Sequence, residues 1–232
     1  MGLTPDHVPQ PVAAYGEDVR AAFISQTYLH LFGAIVAFTI LEWALFSTGL
    51  AYPMAEAMLG TSWLLVLGGF VLVSWIASRV AHNTRSLGMQ YAALAGFVVA
   101  EAIIFVPMLV LAELNAPGAI QSAALVTLMA FGLLTAVVFW TKKDPSFLGG
   151  LLKWAGILAL VAIVAGVVFG FELGTWFSLA MVGLAGAAIL YDTSNVLHHF
   201  PEDRYVAAAL ELFASVALMF WYVLRLFIGS RD

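Results

Sequence analysis

The sequence contains no cysteine in its 232 residues. Disulfides and thiolate metal sites are therefore excluded, and cysteine usage says nothing about redox compartment. Charge is scarce as well. Asp, Glu, Lys and Arg make up 10% of the chain, against about 25% in a soluble domain. Nine basic residues face fourteen acidic ones, for a net charge of −5. Nucleic acid is excluded as a partner, because phosphate contacts need clustered Lys and Arg. Also missing are a glycine-rich phosphate loop behind a strand, a nucleophile elbow and an HExxH helix. No stretch reads convincingly as a strand, no polar linker is long enough to separate two domains, and no internal repeat is visible.

What the chain has is apolar sequence, 63% of it, where about 45–50% is usual. A core of this length cannot hide that much apolar surface, so lipid must cover part of it. A spanning helix needs about 20 mostly apolar residues at 1.5 Å each. Windows near 25–46, 61–81, 88–112, 119–141, 148–170, 174–197 and 206–229 meet that requirement. Short breaks with turn chemistry separate them, among them His82-Asn83-Thr84-Arg85, Asn115-Ala116-Pro117-Gly118 and Phe200-Pro201-Glu202-Asp203. The expected fold is an all-α integral membrane bundle of seven transmembrane helices. The short gap at 171–173 leaves a re-entrant hairpin and a count of six open.

Two regions follow: a polar tail over residues 1–24 and a membrane domain over 25–232. The tail carries Pro5, Pro9 and Pro11 with Asp6, Glu17, Asp18 and Arg20. It lacks the basic start and apolar run of a secretory signal. Orientation comes from Lys and Arg in the short loops. Arg20, Arg79, Arg85, Lys142, Lys143, Lys153 and Arg204 fall on the side of the N-terminus, and only Arg225 and Arg231 on the other. Seven against two puts the N-terminus in the cytosol and the C-terminus in the periplasm. Gly166 and Gly170 form a GxxxG spacing, continued by Gly183, Gly186 and Ala187. Such positions serve close helix packing inside the bundle or, alternatively, dimerisation.

Ionisable groups inside a bilayer are costly unless paired or hydrated, which makes each a functional candidate. Here they are His30, Glu42, Glu101, Asp192, Glu211 and Arg225. Glu42 and Arg225 lie near span ends, where they can snorkel to water as interfacial anchors. Asp192 lies about five residues inside the sixth span and Glu211 about five inside the seventh, so both reach a depth of roughly 7–8 Å. His30 enters the first span to a similar depth. At one level these three groups can hold a cation or share protons; at the membrane edge they simply hydrate separately. Glu101 is deeper, about 20 Å along the third span, and Pro107 follows it and frees a backbone carbonyl. This suggests a proton or ion pathway, or a neutral carboxyl bonded within the bundle. His198 and His199, with Glu202 and Asp203, lack the i, i+4 spacing of a helical metal site. The only pair with a hydrolase character is Ser215 with His30, and an enzyme is not expected.

Several segments together resemble the Bax inhibitor-1 family, also called the transmembrane Bax inhibitor motif family. They are Gly186-Ala-Ala-Ile-Leu-Tyr-Asp-Thr-Ser-Asn195, the Leu224-Arg225-Leu226 run, and a Glu101-to-Pro107 spacing. Within the family the chain is similar to the bacterial YccA-like branch, through the run Thr141 to Leu151 (TKKDPSFLGGL), Thr193 to His198, and Gly229-Ser-Arg-Asp232. The resemblance implies a seven-helix fold with a central last helix. It also implies an aspartate pair on the last two spans, forming a pH-sensitive latch over a calcium leak. Asp192 matches the first aspartate; the second position holds Ser215, so the latch is incomplete, and Glu211 one turn earlier is a candidate substitute. The candidate ion- or pH-sensing residues are thus Asp192, Glu211, Ser215, Glu101, His30 and Arg225. Calcium at Asp192 is the one metal implied, with no other cofactor. The branch resemblance further implies a bacterial inner-membrane protein that restrains the AAA protease FtsH as a slowly degraded substrate. FtsH and its membrane-associated regulators are then the partners, and the tail is the handle.

Overall fold

The computed structural model describes residues 10–84 and 86–229. Residues 1–9, Arg85 and residues 230–232, which enter the tail, charge and motif readings above, lie outside the described residues. Among those described, eight α-helices follow one another: α1 (Glu17–Ser47), α2 (Ala51–Leu59), α3 (Trp63–Asn83), α4 (Leu87–Asn115), α5 (Ala119–Thr141), α6 (Phe147–Phe169), α7 (Gly174–His198) and α8 (Tyr205–Gly229).

Seven of these, all but α2, are long and apolar enough to cross a membrane. They match the seven expected windows. The nine residues of α2 rise only about 14 Å, less than half of a hydrocarbon core of about 30 Å. The first helix starts at Glu17, earlier than the apolar window, because Glu17 and Asp18 in its first turn favour a helix N-terminus. Between α6 and α7 the chain turns fully. Gly170 takes φ +73°, and the N–H groups of Gly170 and Phe171 both donate to the Gly166 carbonyl at 2.9 and 3.1 Å. This is a Schellman-type cap, so α6 and α7 are separate spans and the six-span alternative falls.

The same cap corrects the reading of the GxxxG spacing. Gly166 and Gly170 end a helix rather than join two. Of Gly183 and Gly186 in the next helix, Gly186 is the one that faces neighbouring helices: a Cβ there would meet Leu134 of α5 and Met219 of α8 at 3.5 and 3.6 Å.

The last helix sits at the centre. It contacts α1, α3, α4, α5 and α7, whereas α6 contacts only α7 and α3. The α4 and α8 spans are the most buried. Between them Phe105 packs edge-on to Trp221 and Phe38, with centroids 5.0 and 5.2 Å apart, and stacks on Phe220 at 5.5 Å. Tilted and offset rings of this kind add packing energy beyond buried area. The outer helices turn apolar side chains to the lipid. Trp140 and Trp176, near opposite ends of the bundle, are 88% and 83% exposed, as expected of aromatic anchors at the two interfaces.

Part of the polar tail is docked. A 3-10 turn over Val12–Ala14 precedes α1. Val12 is fully buried, and its N–H donates to the Phe200 carbonyl at 2.8 Å in the α7–α8 loop. An isolated bridge between Pro11 and Pro201 continues the contact.

Candidate functional site

The α7–α8 hairpin positions the site. Loop residues 199–204 are few, so the two helices run antiparallel side by side, and residues at equal depth face each other. Asp192 of α7 and Ser215 of α8 meet: the Ser215 hydroxyl donates to Asp192 Oδ2 at 2.5 Å. Both residues are buried. A serine at this position therefore serves the aspartate as a donor, where a second carboxylate would bring a competing charge.

Glu211 lies one turn before Ser215, close enough to act electrostatically on Asp192. Its carboxylate pairs with His82 Nε2 at 2.8 Å. The other ring nitrogen, Nδ1, faces the Ser78 carbonyl at 2.8 Å. A carbonyl only accepts, so Nδ1 carries a hydrogen, and the Nε2 contact needs a second proton on either the ring or the carboxyl. The pair thus holds one mobile proton. His82 was assigned to a turn by its Asn-Thr-Arg sequel; it stands instead in the last turn of α3. No spacing in the sequence signals its meeting with Glu211, 129 positions away.

His30 does not join this layer. Its Nδ1 donates to the Gln26 carbonyl at 2.7 Å, its Nε2 meets Tyr91 Oη at 2.8 Å, and its ring packs tilted against Tyr205. The pairing of Ser215 with His30 is absent too, since Ser215 is engaged by Asp192. Glu42 is not an interfacial anchor. It is buried, and neither carboxyl oxygen has a hydrogen-bond partner among the described residues. His199 pairs with Asp144 at 3.2 Å, and no group of three or more metal-ligating side chains converges among the described residues. At Asp192 a calcium ion would find Ser215 and, one turn away, Glu211, far short of the six to eight oxygens it prefers.

Two cavities flank the layer. A small one of about 300 Å³ is lined by Trp75, Ser78, Arg79, His82 and Asn83, on the side of the N-terminus. A larger one, about 1130 Å³, lies among α3, α4, α6, α7 and α8. Glu101 and Ser215 line its inner part, and Glu172 and Arg225 its mouth at the opposite end of the bundle. His82 lines the small space and Ser215 the large one.

The Thr141–Leu151 run touches the Gly186–Asn195 segment. Gly149, in the first turn of α6, lies directly against the Tyr191 ring, and a Cβ there would come within 2.7 Å of Tyr191 Oη. Asp144 of the same segment holds His199. They form one structural unit on the face that also carries the docked tail.

Comparison with known proteins agrees with this picture. The chain is 32% identical over 108 residues to the protein named Modulator of FtsH protease YccA of Escherichia coli strain K12, covering 46% of this chain and 49% of that one. It is 27% identical over 226 residues to Bax inhibitor 1 of Schizosaccharomyces pombe, covering 93% and 79%. It is also 29% identical over 123 residues to Protein lifeguard 3 of Mus musculus, covering 49% and 40%. The match spans about half the length of the bacterial relatives. A family model described as Inhibitor of apoptosis-promoting Bax1 matches residues 20–232, nearly the whole chain, and the chain therefore belongs to the Bax inhibitor-1 family.

Proposed function

We propose that this chain is a non-enzymatic, multi-pass protein of the bacterial inner membrane that binds the membrane AAA protease FtsH and restrains it as a slowly degraded competitive substrate. The observation that carries this reading is the similarity to a relative named as a modulator of FtsH. The charge bias supports it, since it puts the N-terminus in the cytosol and the C-terminus in the periplasm. The architecture is consistent with it as well. A protease pulling from the N-terminus first meets Val12 clamped on Phe200, then the 31 residues of α1, which pack on α4 and the central α8. Force applied there is resisted by α4, α7 and α8 together, the spans on which α1 packs. FtsH and its membrane-associated regulators are the partners in this reading, and the first residues of the chain are the handle.

A variant lacking residues 1–9 keeps Val12 and its partner. It is expected to lose co-purification with FtsH from detergent-solubilised membranes and to leave FtsH proteolysis of a reporter unrestrained. Unchanged capture and unchanged restraint would refute the handle.

A second reading, a pH-sensitive leak for calcium or protons, is favoured by one observation: Glu101 and Ser215, the partner of the buried Asp192, both line the large cavity within the bundle. Protein in liposomes would then pass calcium in a pH-dependent way, altered by Asp192→Asn. Flux equal to that of protein-free liposomes ends this reading.

A further inference from the structure

The larger cavity has properties that neither reading uses. On one side it is bounded by α6, which among the described residues packs its backbone against α7 and α3 only. Its volume, about 1130 Å³, exceeds that of most small-molecule sites, which run about 300–1,000 Å³. Its walls are mainly apolar, for example Leu67, Phe97, Ile104, Leu160 and Leu218. A space of this chemistry does not hold water well. In a bilayer the available apolar filler is an acyl chain.

The mouth carries the selectivity. Arg225 on α8 and Glu172 in the α6–α7 loop both line it, at the same end of the bundle. Neither forms an ion pair among the described residues. Arg225 is half-buried near the end of α8 and Glu172 is exposed in its loop, so both charges are open to a headgroup at the membrane surface. One positive and one negative group at a single rim match a zwitterionic headgroup, with phosphate on the guanidinium and ammonium on the carboxylate. The length fits too. From Arg225 to Ser215, which lines the inner part, α8 rises about 15 Å over ten residues. One leaflet contributes about 15 Å, half of a core of about 30 Å.

We infer that this cavity is a phospholipid site. It takes an acyl chain of one aminophospholipid from the leaflet at the C-terminal end of α8, the phosphate on Arg225 and the primary ammonium on Glu172. The chain end then lies against the Ser215 side of the Asp192–Ser215 bond, so the bound lipid also fills the space through which an ion would have to move. This inference does not depend on the FtsH reading.

The test uses the full chain, delipidated in maltoside detergent, incubated in turn with phosphatidylethanolamine, phosphatidylcholine or phosphatidylglycerol of the same acyl composition, and read by native mass spectrometry. The expected result is one retained lipid per chain, with phosphatidylethanolamine favoured over phosphatidylglycerol by about tenfold, the equivalent of about 1.4 kcal/mol. Arg225→Gln loses retention, and Glu172→Gln erases the preference. Gly156→Trp places a ring in the cavity from a position where a Cβ meets nothing within 4 Å, and it also loses retention. Gly132→Trp, equally open but outside the cavity lining, retains the lipid. Circular dichroism checks each fold; if Gly156→Trp does not fold, Ala159→Phe carries the same test. Equal retention by the cavity-filling variant and the natural chain overturns the site, because the lipid is then only annular. Equal retention of phosphatidylglycerol and phosphatidylethanolamine overturns the headgroup assignment.

Discussion

Replacing Gly149 by alanine isolates the contact that joins the two motif segments. A Cβ at this position would lie 2.7 Å from Tyr191 Oη, 2.9 Å from Cζ and 3.0 Å from Cε2. Carbon and oxygen do not approach so closely without a shift. The neighbour is a rigid ring held on α7, although it is half-buried and can tilt. Overpacking of this kind costs about 1–3 kcal/mol, and the freedom to tilt puts the value in the lower half of that range. Alanine also gains about 0.5–1 kcal/mol over glycine inside a helix. Gly150 supplies the control, because it sits next in the same helix and a Cβ there meets nothing within 4 Å. Gly150→Ala should collect the helix gain alone, so the difference between the two variants reports the clash. Equilibrium unfolding in mixed micelles, with increasing dodecyl sulfate fraction, measures both. Tyr191→Phe should recover part of the loss in the Gly149→Ala background, since it removes the nearest atom, and Tyr191→Leu should recover more, giving a coupling energy from the double-mutant cycle. Equal stability of Gly149→Ala and Gly150→Ala would refute the close contact and with it the docking of the α5–α6 segment on α7.

Ser215→Ala removes the hydroxyl that serves Asp192 and should destabilise the bundle by about 1–3 kcal/mol in the same unfolding assay, with Asp192→Asn in that background restoring little. The Glu211–His82 side chains are 28% and 32% exposed, so water screens the pair and their coupling energy, from a cycle of Glu211→Gln and His82→Ala, should stay within about 1 kcal/mol. Val12→Ala deletes two buried carbons, about 0.8 kcal/mol each, and should shift the clamp roughly tenfold toward the open form, seen as faster hydrogen exchange of the Val12 amide with no change deep in α8. Outside the spans, the Tyr52 hydroxyl donates to Glu113 at 3.0 Å, and that bond holds the phenol above its ordinary value of 10.0. The protonated form makes the bond, so the contact between α2 and α4 persists through that pH and is lost only as the raised value is passed. An absorbance titration of the natural chain minus Tyr52→Phe should show tyrosinate forming late at this position.

The spans were legible because each apolar run exceeds the length a bilayer demands and each break carries turn residues. The nine-residue α2 escaped detection, for it lies within a stretch too short to stand out by length and too apolar to read as a loop. Depth along a helix is readable by counting to about one turn: the count sets Asp192 level with Glu211, whereas Asp192 meets Ser215, one turn further along α8. Rotation about the helix axis was not readable. Hence His30 was grouped with the carboxylates although it faces Tyr91, and Glu42 was sent to the interface although it faces inward. His82 was hidden by its neighbours, since Asn83-Thr84 marks a helix end as readily as a loop. The GxxxG spacing carried a cue to its true role: Gly170 stands at the end of the apolar run, where a left-handed cap belongs. Val12 offered no cue at all, because a single apolar residue among prolines has no periodicity.

The central place of α8 bears on how the chain is made. The ribosome releases this helix only after α1 through α7, yet it is the one that five of them pack against. Until it arrives, the faces of α1, α4, α5 and α7 that it later covers have only lipid or each other to meet, and Asp192 lacks the hydroxyl that serves it. Assembly is therefore held open until late and then closes in one step around the final insertion. Chains stalled short of α8 present an unfilled bundle with a bare carboxyl inside the membrane, the kind of intermediate that membrane quality control removes.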